Sequence, residues 1–147
     1  QAALGISQLK RLDSYVSRRH EIASYYDLKL ANLPITSPWQ LPNTYSSYHL
    51  YPICIQDDNN TKLQKKIYHK LHENGIAANL HYIPVHRQPY YESLGFKNGD
   101  FLESEKFHRK VISLPIFPSL KKDDINTIKK FLVKNFKGVS KKCLLIS

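Results

Sequence analysis

At 147 residues, 41% of them apolar, the chain suits one domain with a modest core. It has no run of about 18 apolar residues, which excludes a membrane-spanning helix, and no secretory leader is expected. The formal net charge of +10 admits an anionic partner, whether nucleic acid or a small molecule.

From Ile6 to Asn32 there is neither glycine nor proline, and Leu9, Leu12, Val16, Ile22, Tyr26 and Leu30 keep a helical stripe. The spacing predicts one helix of about 25 residues, on the order of 40 Å long. A helix of that length at a chain's start suits a bridge between two domains. Pro34 and Pro38 end it, and a loop runs to about Ser46. Tyr48 to Gln56 reads as a strand, rich in aromatic and β-branched residues. Asp57 to Asn60 is a turn, with Asn60 or Thr61 placed to cap the next helix. Leu63, Ile67 and Leu71 give that helix its stripe, and Gly75 fits the left-handed position past its end.

Ile76 to Tyr82 reads as a second strand. Asn98-Gly99 is a turn, and Asp100 with Glu103 resembles a capping box opening a short helix near Phe101. Val111 to Phe117 reads as a third strand. Ile125, Ile128, Leu132 and Phe136 mark a final amphipathic helix. This order predicts an α+β fold: a small, mostly antiparallel sheet with helices on one face. The expected division is a long interdomain helix over residues 1–32, a small α+β domain over 33–136 and a loose basic tail over 137–147.

Lys121, Lys122, Lys129, Lys130, Lys134, Lys137, Lys141 and Lys142 face only Asp123 and Asp124 late in the chain. They interleave with helical apolar spacing, which favours a solvated helix face over a nucleic-acid site. Cys54 and Cys143 are distant in sequence and read as reduced thiols of a cytosolic protein, not a disulfide framework. Cys143 lies fifth from the end, one place off a prenylation box. The chain holds no methionine and opens already in helical pattern. The expectation is a C-terminal fragment whose N-terminal part is absent.

The segment from Leu80 to Tyr91, LHYIPVHRQPYY, packs two histidines, three tyrosines, an arginine, a glutamine and two prolines into twelve residues. So many polar tips do not suit a core strand, and a flexible linker does not carry so many aromatics. Pro84 and Pro89 pin the backbone. His81, Tyr82, His86, Arg87, Gln88 and Tyr90 are good binders of hydroxyls, phosphates and uracil-like rings. A loop packing on another domain or subunit, with tyrosines as anchors, accounts for the composition equally well.

Other chemistry is poorly supported. His81 and His86 are five apart with Pro84 between them, not the helical pair of zinc hydrolases, and no metal site is expected. Cys54 sits mid-strand between Ile53 and Ile55, where a thiol is inert. The five glycines are scattered, which removes a phosphate-cradling loop. The residues lead to a ligand-gripping α+β domain without its own catalytic engine.

AALGISQLKRLD, SSYHLYPI, GIAANLHYIPVHRQPYY, LGFKNGDF and ISLPIFPSL, in that order, resemble the C-terminal portion of the DegT/DnrJ/StrS sugar aminotransferases. The pattern is most similar to members that aminate a UDP-4-keto-6-deoxy-hexosamine on the way to pseudaminic acid. The resemblance implies a pyridoxal-phosphate-dependent fold-type I transaminase, cytoplasmic and usually homodimeric, with glutamate the typical amino donor. It places the cofactor, its Schiff-base lysine and the aspartate partner of the pyridine nitrogen upstream of Gln1. No catalytic or cofactor-binding residue is then expected in this chain. The family's HY-x-P-x-H segment maps onto His81, Tyr82, Pro84 and His86, near the mouth of the active site. With Tyr90, His81, Tyr82 and His86 are the expected substrate-binding residues, receiving the UDP-sugar. Ser46 to Tyr51 would lead the chain back from the interdomain crevice. A sugar-nucleotide-binding relative without transamination is the competing expectation. A basic nucleic-acid-binding module is the third, and neither nucleic acid nor membrane is the expected partner.

Overall fold

The computed structural model describes residues 1–57 and 62–136. In chain order they form α1 (Ala2–Leu9), α2 (Leu12–Leu30), β1 (Ile35–Thr36), β2 (Tyr51–Ile55), α3 (Leu63–Glu73), a 3-10 turn (Val85–Arg87), α4 (Pro89–Ser93), α5 (Leu102–Lys110), β3 (Val111–Leu114) and α6 (Lys122–Asn135). The expected α+β class is what is observed: a small antiparallel sheet in the order β1-β2-β3, with α2 packed on α6 and α3 packed on both α6 and β3.

The strands form where alternation and branching dictate. In β2, Tyr51, Ile53 and Ile55 are buried while Pro52 and Cys54 are half-buried, the period-2 pattern of a strand with one core face. Its register against β3 pairs Tyr51 with Leu114, Ile53 with Ile112 and Cys54 with Val111. β1 pairs with Ile55 and Cys54 alone. Pro52 therefore lies beyond β1, where its missing donor breaks no ladder bond on that side. Every residue of β3 is buried.

Helix faces complete the core. Ile22, Ala23, Tyr26 and Leu30 of α2, Leu63, Ile67 and Leu71 of α3, and Ile125, Ile128 and Leu132 of α6 join the strand residues in one cluster. Burying each such side chain stabilises the fold by about 1.5–3 kcal/mol. At its centre the Tyr26 and Tyr51 rings stack with centroids 4.7 Å apart. Their hydroxyls are satisfied: Tyr26 donates to the Pro115 carbonyl at 2.9 Å and Tyr51 to Asp27 at 2.5 Å. Arg19 clasps the two loops at one end of the sheet, before β2 and after β3, its Nη1 donating to the Tyr48 carbonyl at 3.0 Å and that of Ile116 at 2.8 Å. That clasp holds Tyr48 at φ 45°, left-handed backbone that a tyrosine seldom adopts.

Five expectations are corrected. The single long helix is two, because the chain tightens at Lys10-Arg11, where the Arg11 N–H bonds the Gln8 carbonyl three residues back. No proline or glycine marks that break. The expected loop after Pro34 contains the two-residue strand β1. The expected strand from Ile76 to Tyr82 reduces to one bridge, Asn79 with Ser113. The expected strand at Val111–Phe117 ends at Leu114, before Pro115. The Asp100–Glu103 capping box is also absent. Asp100 accepts the Lys97 N–H at 2.8 Å, closing the turn, and Glu103 pairs with Lys106 on the surface at 2.6 Å.

Gly75, at φ 73°, ends α3 as its sequence requires. The expected cap at Asn60 or Thr61 and the basic tail lie outside the described residues.

Candidate functional site

The polar, aromatic segment is fixed at both ends. Asn79 and Ser113 exchange backbone hydrogen bonds of 3.0 and 2.8 Å. Pro84 is buried, and its carbonyl accepts the Arg87 N–H at 2.8 Å to close the 3-10 turn. Pro89 then opens α4 at the first helical position, where a missing N–H matters least. Arg87 is engaged at both ends of its guanidinium, by Glu92 at 2.7 Å and Asn98 at 2.8 Å. These contacts tie the segment to the Lys97–Asp100 turn.

The four expected binding residues face different ways. Tyr82 is 88% exposed and Tyr90 68%, so their hydroxyls are free to meet a ligand. His81 is half-buried: its Nε2 hydrogen-bonds the Ser113 hydroxyl, and its carbonyl accepts from His108 Nδ1 at 3.0 Å. His86 turns inward, only 7% exposed, with Nε2 2.9 Å from Glu105 Oε1. The structure thus presents two tyrosines, one anchored imidazole and one sequestered imidazole.

Glu105 is the residue sequence reasoning missed. Its side chain is buried, and Oε1 also accepts the Gly99 N–H at 2.8 Å. That backbone bond and then the His86 ring hold its carboxyl below the usual carboxylate range. Arg109 stands 3.8 Å from Oε2. Around the pair, the His86 ring lies 4.8 Å from Phe101, and Phe101 lies 6.1 Å from Phe96. No local pattern announces this, since Glu105 is 19 residues from His86.

The remaining chemistry-bearing residues are quiet. Burial pushes the Cys54 thiol up, against a smaller opposing influence from Lys110, which leaves it a poor nucleophile. Among the described residues there is no group of three metal-ligating side chains and no buried lysine. The donor set that pyridoxal phosphate needs, a sheltered lysine beside a carboxylate, is therefore not offered by the described residues. No described helix is long and apolar enough to cross a membrane.

Comparison with known proteins gives this arrangement a context. The sequence profile of the DegT/DnrJ/EryC1/StrS aminotransferase family matches residues 1–133. The spore coat polysaccharide biosynthesis protein SpsC of Bacillus subtilis is 34% identical over 87% of this chain. The UDP-4-amino-4,6-dideoxy-N-acetyl-beta-L-altrosamine transaminase of Helicobacter pylori is 34% identical over 94% of it. Among solved structures, Helicobacter pylori PseC, an aminotransferase of pseudaminic acid biosynthesis, superposes on 93% of the chain with a TM-score of 0.83 and 33% identity. The chain spans 34 and 36% of the two curated relatives' lengths and 37% of that structure's chain. On this evidence the chain belongs to the DegT/DnrJ/EryC1/StrS aminotransferase family.

Proposed function

We propose that this chain is the small C-terminal domain of a pyridoxal-phosphate-dependent nucleotide-sugar aminotransferase. The whole enzyme would move an amino group from glutamate to a UDP-linked 4-keto-6-deoxy-hexosamine, in the synthesis of a pseudaminic-acid-type surface glycan. The observation that carries this reading is the family match over residues 1–133, joined to similarity with relatives named for that amination.

The cofactor, when bound, supplies the electron sink for amino transfer. It would be held by the part of the enzyme outside this chain, and the chain alone would not transaminate. The role left to these residues is positioning. Tyr82 and Tyr90, exposed on a proline-pinned segment, offer hydroxyls to the nucleotide sugar. His81, tied to Ser113, gives that segment a fixed edge. The exposed apolar residues of α1 and Leu12 of α2 would face the rest of the enzyme, a cytoplasmic homodimer.

The test is an assay of the whole protein with glutamate and the UDP-4-keto sugar, read by mass spectrometry of the nucleotide sugar. A glutamate-dependent amine product is expected. A ligand-binding protein without that product would overturn the reading in favour of a non-catalytic relative.

A further inference from the structure

The two exposed tyrosines of the candidate segment hang on one buried point. Between Tyr82 and Tyr90 only Pro84 and His86 are buried, and a proline side chain offers no donor or acceptor. His86 stands midway between the tyrosines in the chain, and its bond to Glu105 is the buried side-chain hydrogen bond of that stretch. The side-chain bonds of Arg87 and Gln88 lie at the surface.

The backbone carries that point to both tyrosines. The Gln88 N–H bonds the Val85 carbonyl at 3.0 Å and the Glu92 N–H bonds the Gln88 carbonyl at 3.0 Å, so the 3-10 turn runs straight into α4 and Tyr90. Toward the other side, the Gln88 side-chain amide donates to the carbonyl of Ile83 at 3.3 Å, next to Tyr82.

Two fastenings tie this stretch to the Lys97–Asp100 turn, and they differ in strength. Arg87 with Glu92 and Asn98 is partly exposed, where water screens the charges and replaces lost bonds. His86 with Glu105 is almost sealed, and losing one partner there leaves the other buried without a bond. Glu105 is itself held by the N–H of Gly99, at φ 98°, a backbone conformation suited to glycine. A carboxylate has no proton to give, so His86 Nε2 donates to it whether or not the ring carries a second proton.

We propose that Glu105 is a positioning residue for nucleotide-sugar recognition: by fastening His86 to the Gly99 backbone it sets where the Tyr82 and Tyr90 hydroxyls stand. This rests on the reading of the segment as the receiver of a UDP-sugar. It makes affinity for that sugar depend on a carboxylate sealed beneath the segment, and it makes His86 a strut instead of a ligand contact.

The experiment compares Glu105→Ala and Glu105→Gln by two readouts. One is calorimetric titration of the whole protein with UDP-N-acetylglucosamine. The other is tyrosine-ring NMR of the 147-residue chain without ligand. Alanine should shift the Tyr82 and Tyr90 rings while the core rings of Tyr26 and Tyr51 hold. It should weaken binding roughly threefold to a hundredfold, the range for one or two misplaced hydrogen bonds. Glutamine should restore the ring positions, and binding to within about threefold, because an amide oxygen still accepts from Gly99 and His86. Wild-type affinity in the alanine variant, or equal weakening by alanine and glutamine, would overturn the assignment and leave the UDP-sugar reading standing. No binding by the wild-type protein would end both. If the alanine variant misfolds, the double variant His86→Phe with Glu105→Leu removes the bonds and keeps the pair's bulk. It should bind as weakly as the alanine variant is expected to, and wild-type affinity there would overturn the assignment equally.

Discussion

His86 Nε2 lies 2.9 Å from Glu105 Oε1, with both side chains almost sealed at 7 and 5% exposure. The pair joins the 3-10 turn to α5, and through the Gly99 N–H it also holds the Lys97–Asp100 turn. One carboxylate thus organises three chain segments around the candidate site.

Glu105 carries a pH prediction. Its carboxyl is held below the usual range, first by the Gly99 N–H and then by His86. A depressed folded value means that its stabilisation is present above the ordinary carboxylate range and lost as pH falls through the lowered value. Denaturant unfolding between neutral and acid pH should show Glu105→Gln less stable at pH 7, with the gap to wild type closing toward acid. Parallel curves across that window would show that the carboxylate contributes no charge-dependent stability.

Tyr26 and Tyr51 carry a second. Burial pushes both phenols well above their ordinary value, aided by Asp124 for the first and by the Asp27 hydrogen bond for the second. The unfolded phenols ionise first, so the contribution of these two groups to stability falls as pH rises past that ordinary value. In a spectrophotometric titration of the ten tyrosines, the absorbance of these two should appear only when the chain unfolds in alkali. A single transition of all ten while the far-ultraviolet signal is still native would refute the buried stack.

α1 buries none of its residues, and Leu4, Ile6, Leu9 and Leu12 are 48 to 67% exposed. Replacing Leu4, Ile6 and Leu9 with serine should change folding stability by no more than about 0.5 kcal/mol per site. It should also reduce self-association and binding of an apolar dye. A large loss of stability would mean that α1 packs on the core.

Leu71 is fully buried in the last turn of α3. Leu71→Ala should destabilise the chain by about 2–5 kcal/mol in urea unfolding, whereas Leu28→Ala, at an exposed position of α2, should stay within about 0.5 kcal/mol. Similar losses at both would mean the core is not where the helical stripes place it.

Those stripes were legible because a packed helix needs apolar residues every three or four positions. Ile125, Ile128 and Leu132 are all buried, as are Leu63, Ile67 and Leu71. What local pattern could not show was set at a distance. Ile76 to Tyr82 has strand composition, but of that stretch only Asn79 finds a bridge partner, in Ser113. The α1–α2 break falls at Lys10-Arg11, two residues as suited to a helix interior as any. In the candidate site, the aromatic density of Leu80 to Tyr91 singled the segment out. It could not say which rings face out. Tyr82 and Tyr90 do, whereas His86 is claimed by Glu105, a contact written nowhere in the neighbourhood of either residue.

The central claim, that this segment receives the nucleotide sugar, is tested most directly by single-turnover kinetics of Tyr82→Phe in the whole enzyme. Losing one hydrogen bond from Tyr82 should lower the specificity constant for the sugar by roughly threefold to a hundredfold, the higher end if its partner is a phosphate. The glutamate half-reaction does not involve the UDP moiety and should hold within about twofold. Equal losses in both half-reactions, or no loss in either, would contradict the account and leave the segment as a packing surface.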